Sequence, residues 1–211
     1  MVNSDKLEFY DGQIVALEGT CESSTKFDAI RIIPATFERP NMPSKLGEGH
    51  KTVLYANGPY TYGNSLAYKP LRKLVEKVKK EKPHSLVLGG PFVDCNNEDV
   101  RSGEIAYEDH SGIQVLGDGK LMKIIVEFLD QELSSLNTQF VLIPSLKDMV
   151  SMFPLPQPQI NSGILDGCSE EFKRKTYLMG NPQEFSLDNI NCAAITSDVV
   201  LHLFQNMKSD K

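Results

Sequence analysis

Three short stretches of this 211-residue chain set oxygen and amide side chains beside glycine and proline: Asn57-Gly58-Pro59 with Asn64 close behind, Gly90-Pro91-Phe92-Val93-Asp94, and Pro144-Ser145-Leu146-Lys147-Asp148. Each follows an apolar run. Asp94 and Asp148, with Asn57 and Asn64, are the groups that would ligate hard divalent cations there, and two ions held close together activate water against a phosphate ester. For that chemistry the supply is thin. The histidines, His50, His84, His110 and His202, lie outside all three stretches. A ligand set needs several partners at one place, so each histidine is read as structural or solvent-exposed.

Other reactive types are also scattered. Cys21, Cys95, Cys168 and Cys192 form no CxxC pair, which argues against a zinc knuckle or a disulfide framework and makes them free thiols. Cys95 follows Asp94 with no basic neighbour to make it a thiolate, and is read as inert. Lys73, Lys77, Lys79, Lys80 and Lys82 form a basic run without interleaved aromatics, read as a solvated helix face ahead of a nucleic-acid contact. Gly117-Asp118-Gly119-Lys120 lacks the spacing of a phosphate loop, and Leu121 stands where a hydroxyl should.

The elements that must position these stretches follow from periodicity. Gln13–Gly19 and Lys26–Ile33 read as two strands around a polar turn, Cys21–Thr25; two strands bury no core alone. Pro34–Gly49, with three prolines and two glycines, reads as a linker. Beyond it, Thr52–Ala56, Ser85–Leu88 and Phe140–Ile143 are short buried strands. Between them run two amphipathic helices. The first carries Ala67, Leu71, Leu74, Val75 and Val78, with Asn64 or Ser65 as cap and Pro70 in its first turn. The second carries Leu121, Ile124, Ile125, Phe128 and Leu129. Further strands are expected near Thr176–Met179 and Asn191–Ala194, and a last helix from Thr196 or Ser197, with Asp198 suited to its dipole. Cys95–Asp118 has no clear period and is expected to be a mobile surface loop. The order β, α, β, α, β calls for an α/β layered fold, whose ligands bind at the carboxyl ends of the strands; those ends are the three stretches above.

Composition narrows the function classes. With 40% hydrophobic and 24% charged residues the chain should bury a sizeable core. No run of about 18 apolar residues occurs, and Met1–Tyr10 has neither a basic nor an apolar leader region, so an intracellular protein without a membrane span is expected. A net charge of −6 disfavours tight binding to nucleic acid unless positive charge is strongly segregated.

The same loops carry a family resemblance. "DGQIVALEGT" at 11–20, "ANGPYTYGNSLAYKPL" at 56–71, "GGPFVD" at 89–94, "FVLIPSLKDMVSMFPLPQPQI" at 140–160 and "GNPQEFSLDNINCAAITSDVVLHL" at 180–203 resemble, in order, segments of the B subunits, the second-largest accessory subunits, of DNA polymerase alpha and primase complexes. The pattern is more similar to the alpha than to the delta accessory subunits. The resemblance implies a calcineurin-like phosphoesterase layered fold at 41–211, truncated and without catalysis, after the last strands of an oligonucleotide-binding-type β-barrel and linker at 1–40. Active relatives carry DxH, GDxxD and GNH in the three loops. Here Asn57-Gly58-Pro59, Gly90 to Asp94 and Pro144-Ser145-Leu146 stand there, and the metal-bridging aspartate has become Pro91.

No catalytic residue, cofactor site or metal ligand is therefore expected, and Asp94 is expected to accept backbone amides of its own loop. The implied function is a non-catalytic scaffold in the nucleus. It would hold the zinc-bearing C-terminal domain of the catalytic subunit during initiation of DNA replication, reach primase indirectly, and touch DNA weakly or through the complex. Two alternatives stand beside it. One is a degenerate but active metal-dependent phosphoesterase using Asp94, Asp148 and His110. The other is a single-stranded nucleic-acid module acting through the barrel. If the chain is a fragment, an uncovered strand edge would pair with a second copy.

Overall fold

A computed structural model describes residues 16–23, 25–33, 50–103, 105–109, 112–187 and 190–200. Internal packing divides the chain into two units, Met1–Met42 and Pro43–Lys211. In the first, β1 (Ala16–Ser23) and β2 (Lys26–Ile33) pair antiparallel, from Ala16 opposite Ile33 to Ser23 opposite Lys26, with register shifts at Glu18/Gly19 and Cys21/Ser23. Gly19 lies against the Asp28 carbonyl, so closely that a Cβ would overlap it. The turn is tighter than the sequence predicted, because β1 continues through Cys21 to Ser23.

The second unit is mixed α/β. Its central sheet has four parallel strands in the order β3 (Val53–Asn57), β4 (Ser85–Gly89), β7 (Gln139–Ile143), β8 (Thr176–Leu178). Parallel neighbours need crossovers. These are α1 (Lys69–Glu81), α3 (Asp118–Leu133) and, before β8, a 3₁₀ turn (Ser162–Leu165) with α4 (Glu170–Lys175). Strand alternation sends Leu86, Leu88, Phe140 and Leu142 into one core with Leu71, Val75 and Val78 of α1, Leu121, Ile125 and Leu129 of α3, and Phe172 of α4. The opposite face, Val87, Val141 and Ile143, is covered by Phe185, Leu187 and Ala194 from the antiparallel hairpin of β9 (Gln183–Leu187) and β10 (Ile190–Ala194). Covering both faces is why β4 and β7 read as unbroken apolar runs.

Three local expectations are corrected. Cys95–Asp118 is not a structureless loop: it contains α2 (Glu98–Ser102) and the antiparallel pair β5 (Ile105–Asp109) and β6 (Gly112–Leu116). Five-residue elements are too short to show a period, and α2 is set instead by its cap, the Asn97 side chain accepting from the Asp99 and Val100 amides. Secondly, α1 begins at Lys69, after Tyr68 in the left-handed region and without a side-chain cap. Asn64 instead donates to Glu98 Oε2 at 3.0 Å, so Ala67 precedes the helix, while Pro70 occupies its first turn as expected. Thirdly, β9 had no forecast, because Gln183, Glu184 and Ser186 break its apolar pattern. Val199 and Val200 are helical; the rest of the last helix expected from the sequence lies outside the described residues, as do Gln13–Val15, His110 and His202.

Candidate functional site: a braced corner at the strand ends

The ladder of the sheet runs one step past the strands. The Gly58 amide donates to the Gly89 carbonyl at 2.9 Å and the Gly90 amide to the Ile143 carbonyl at 2.8 Å, then cis Gly58-Pro59 and Gly90-Pro91 peptides turn the first two loops. Glycine is required by close approach. A Cβ at Gly58 would overlap the Pro91 carbonyl oxygen, at Gly89 the Asn57 side-chain oxygen, and at Gly90 Asp148 Oδ2. Beneath the loops the Tyr60 hydroxyl donates to the carbonyls of Ala56 (3.1 Å) and Gly89 (2.8 Å), its ring stacked on Phe92 at 5.6 Å, and the Tyr68 hydroxyl donates to the Phe92 carbonyl at 2.9 Å. Burial, with the Asp148 charge adding to it, pushes both phenols well above their ordinary pKa. Both therefore remain neutral donors.

Asp148 is the centre of the corner and is fully buried. Its Oδ1 accepts the amides of Phe92 (2.5 Å) and Val93 (3.0 Å), and its Oδ2 accepts that of Ser145 (2.9 Å). The second and third loops then pair through an isolated antiparallel bridge between Asp94 and Asp148, with Cys95 N on Lys147 O and Met149 N on Val93 O, each at 2.8 Å. Burial raises the Asp148 pKa from 3.8 to about 6, against the pull of the three amides and with a smaller push from Asp94.

A chain of amide groups leads away from this carboxylate. Gln157 Nε2 donates to the carbonyls of Ser145 (3.1 Å) and Ser151 (2.7 Å), and its Oε1 accepts from Asn181 Nδ2 at 2.7 Å. The backbones of Gln157 and Asn181 exchange two further bonds, at 2.7 and 3.0 Å. Asn181 Oδ1 accepts from Thr196 N at 3.1 Å, and the Thr196 hydroxyl donates to the Pro144 carbonyl at 2.6 Å. Among the described residues every buried side-chain polar atom has a partner.

The residues singled out in the sequence are thus dispersed. Asp94, half-buried at the rim, accepts from the amide and side chain of Asn96 at 3.0 and 3.1 Å, serving its own turn as expected; most of the amide binding falls instead to Asp148. Asn57 Oδ1 accepts from the Tyr55 hydroxyl at 2.8 Å. His84 accepts the Thr52 amide on Nδ1 at 3.1 Å, at the start of β3, and His50 is exposed. The Cys95 thiol is held protonated by burial and by Asp94. A cleft of about 540 Å³ remains over the corner, its walls including Asn57, Pro59, Pro91, Asp94 and Lys147. Among the described residues no three His, Cys, Asp or Glu side chains converge in a way that would hold a metal ion. Sequence reasoning missed the roles of Gln157, Asn181 and Thr196. The available signal was the side-chain amides beside prolines in "PLPQPQI" and "GNPQ", since a polar side chain among proline and apolar neighbours points to buried hydrogen bonding.

Comparison with known proteins adds the lineage. The family profile that describes the B subunits of DNA polymerases alpha and epsilon matches residues 53–211. The chain belongs to that family. The corner just described is therefore the strand-end region of a member of the polymerase B-subunit family. The matched relatives are named as B subunits of DNA polymerase alpha. That of Bos taurus is 26% identical over 202 residues, covering 92% of this chain and 30% of the relative. That of Schizosaccharomyces pombe is 28% identical over 205 residues, covering 92% and 33%, and that of Saccharomyces cerevisiae 28% over 200 residues, covering 88% and 27%. The chain thus spans about a third of the length of the curated relatives it matches.

Proposed function

We propose that the chain is the phosphoesterase-like portion of a non-catalytic accessory subunit of a nuclear DNA polymerase alpha and primase complex. It would hold the C-terminal domain of the catalytic subunit and so link primer synthesis to elongation. The observation that carries this reading is the state of Asp148: its carboxylate is fully buried and accepts three backbone amides. A carboxylate that serves as hydrogen-bond acceptor for two loops is no longer open to a cation. Pro91 stands where the resemblance puts a bridging ligand, and a proline side chain coordinates nothing. The names of the relatives agree with a place in the polymerase alpha assembly.

The same reading takes the parallel sheet, with helices on one face and the β9–β10 hairpin on the other, as a calcineurin-like layer structure without its metals. It takes the β1–β2 hairpin as the end of an oligonucleotide-binding-type barrel. Co-expression of the full-length protein with the C-terminal domain of the catalytic subunit tests it: a stable complex on gel filtration is expected, and separate elution overturns the proposal. A manganese-supplemented phosphodiesterase assay with metal analysis is expected to give neither turnover nor stoichiometric metal. Turnover abolished by Asp94→Ala would replace the scaffold with an enzyme.

A further inference from the structure

The chain carries a net charge of −6, yet residues 69–82 alone carry +5, with Lys69, Arg72, Lys73, Lys77, Lys79, Lys80 and Lys82 against Glu76 and Glu81. Helical geometry divides this charge. At about 100° per residue, Lys69, Lys73, Lys77 and Lys80 (i, i+4, i+8, i+11) fall within one narrow stripe along about 16 Å of α1, opposite the buried Leu71, Val75 and Val78. All four are exposed. The neighbouring cations are already used: Arg72 lies over the Phe128 ring at 4.9 Å, and Lys79 pairs with Glu132 of α3. Within the stripe Lys77 has a loose pair with Glu81 at 3.6 Å, more than half exposed, and such a pair contributes little. No ion pair engages Lys69, Lys73 or Lys80 among the described residues.

We propose that this lysine stripe of α1 is a sequence-independent contact for the phosphate backbone of duplex nucleic acid. The inference rests on the charge distribution of α1 and not on the scaffold reading. An acidic chain binds polyanions only through segregated positive charge, and α1 supplies that segregation. A protein partner is a poorer fit: protein interfaces are depleted in lysine and anchored by aromatic or apolar side chains, and only lysines fall within the stripe, with Glu76 and Pro70 flanking it on either side. Single strands are bound by stacking on aromatics, and the stripe has none.

The test is an anisotropy titration of a labelled 20-base-pair duplex with the full 211-residue chain. Three to four displaced counterions give a log–log salt slope of about −3, or about 60-fold weaker binding at 200 mM than at 50 mM salt. The variant Lys69→Gln/Lys73→Gln/Lys77→Gln/Lys80→Gln is expected to lose at least tenfold in affinity at 50 mM salt and most of the slope, with an unchanged thermal midpoint. The control Lys26→Gln/Lys51→Gln/Lys120→Gln/Arg174→Gln removes the same charge elsewhere and should stay within twofold. Equal losses in both variants, or no loss in the first, overturn the proposal. So does a stripe that binds poly-glutamate or a single strand at least tenfold more tightly than the duplex, which would assign it to an acidic protein segment or to unpaired nucleic acid.

Discussion

Gly90 and Asp148 occupy one place: the carboxylate lies where a side chain on Gly90 would begin, and a Cβ there would overlap Oδ2 while crowding the Ser145 amide. A turn glycine in the second loop and an aspartate 58 positions later are thereby a single packing unit.

Gly90→Ala should displace the carboxylate and break its bond to Ser145, destabilising the chain by about 2–3 kcal/mol. Gly90→Ala/Asp148→Ala should cost less than the sum of the single changes by at least about 0.5 kcal/mol, because both act on one contact. Urea midpoints of the four proteins in the cycle measure the coupling.

Asp148→Ala strands three buried amides, those of Phe92, Val93 and Ser145, and is expected to cost about 3–5 kcal/mol. Asp94→Ala removes acceptors only from Asn96 at the half-exposed rim and should cost about 1 kcal/mol. Denaturant unfolding under identical conditions compares them; a larger loss at Asp94 would refute the assignment of the central role to Asp148.

The raised Asp148 pKa sets a pH dependence. Between 3.8 and about 6 the folded chain retains a proton that the unfolded chain releases, so this group makes stability fall as pH rises through that window, by about 2–3 kcal/mol, and then level off. Asp148→Asn cannot titrate and should lack that component. Midpoints at pH 4.5, 5.5 and 7 for both proteins give the difference.

Gln157→Leu keeps the approximate volume but leaves the Ser151 carbonyl and Asn181 Nδ2 unpaired and takes one of two donors from the Ser145 carbonyl, which keeps the Asp148 amide, an expected loss of about 2–3 kcal/mol. Because Asn181 also holds the Thr196 amide, the change should raise proteolytic nicking near Thr196 as well as lower the midpoint. Limited proteolysis with mapped cleavage sites reads this out.

The sheet was legible because each buried strand is a compact apolar run between breakers, and α1 and α3 because thirteen- and sixteen-residue helices show their period. α2, β5 and β6 were not, since their identity depends on one cap and on pairing. The three loops were found from Gly58-Pro59, Gly90-Pro91 and Pro144. What the sequence hid was which carboxylate does the work. Asp94 looks central because it ends the Gly-Pro turn, but the choice depends on the third loop folding back beneath the second, a contact spanning 56 residues with no local signature.

The amides of Phe92, Val93 and Ser145 belong to loops at the edge of a cleft, where hydrogen exchange is ordinarily rapid. With Asp148 as their buried acceptor they open only when the whole corner does. In deuterium they should retain their protons as long as the strands of the sheet, marking this turn as part of the slowest-opening unit of the molecule.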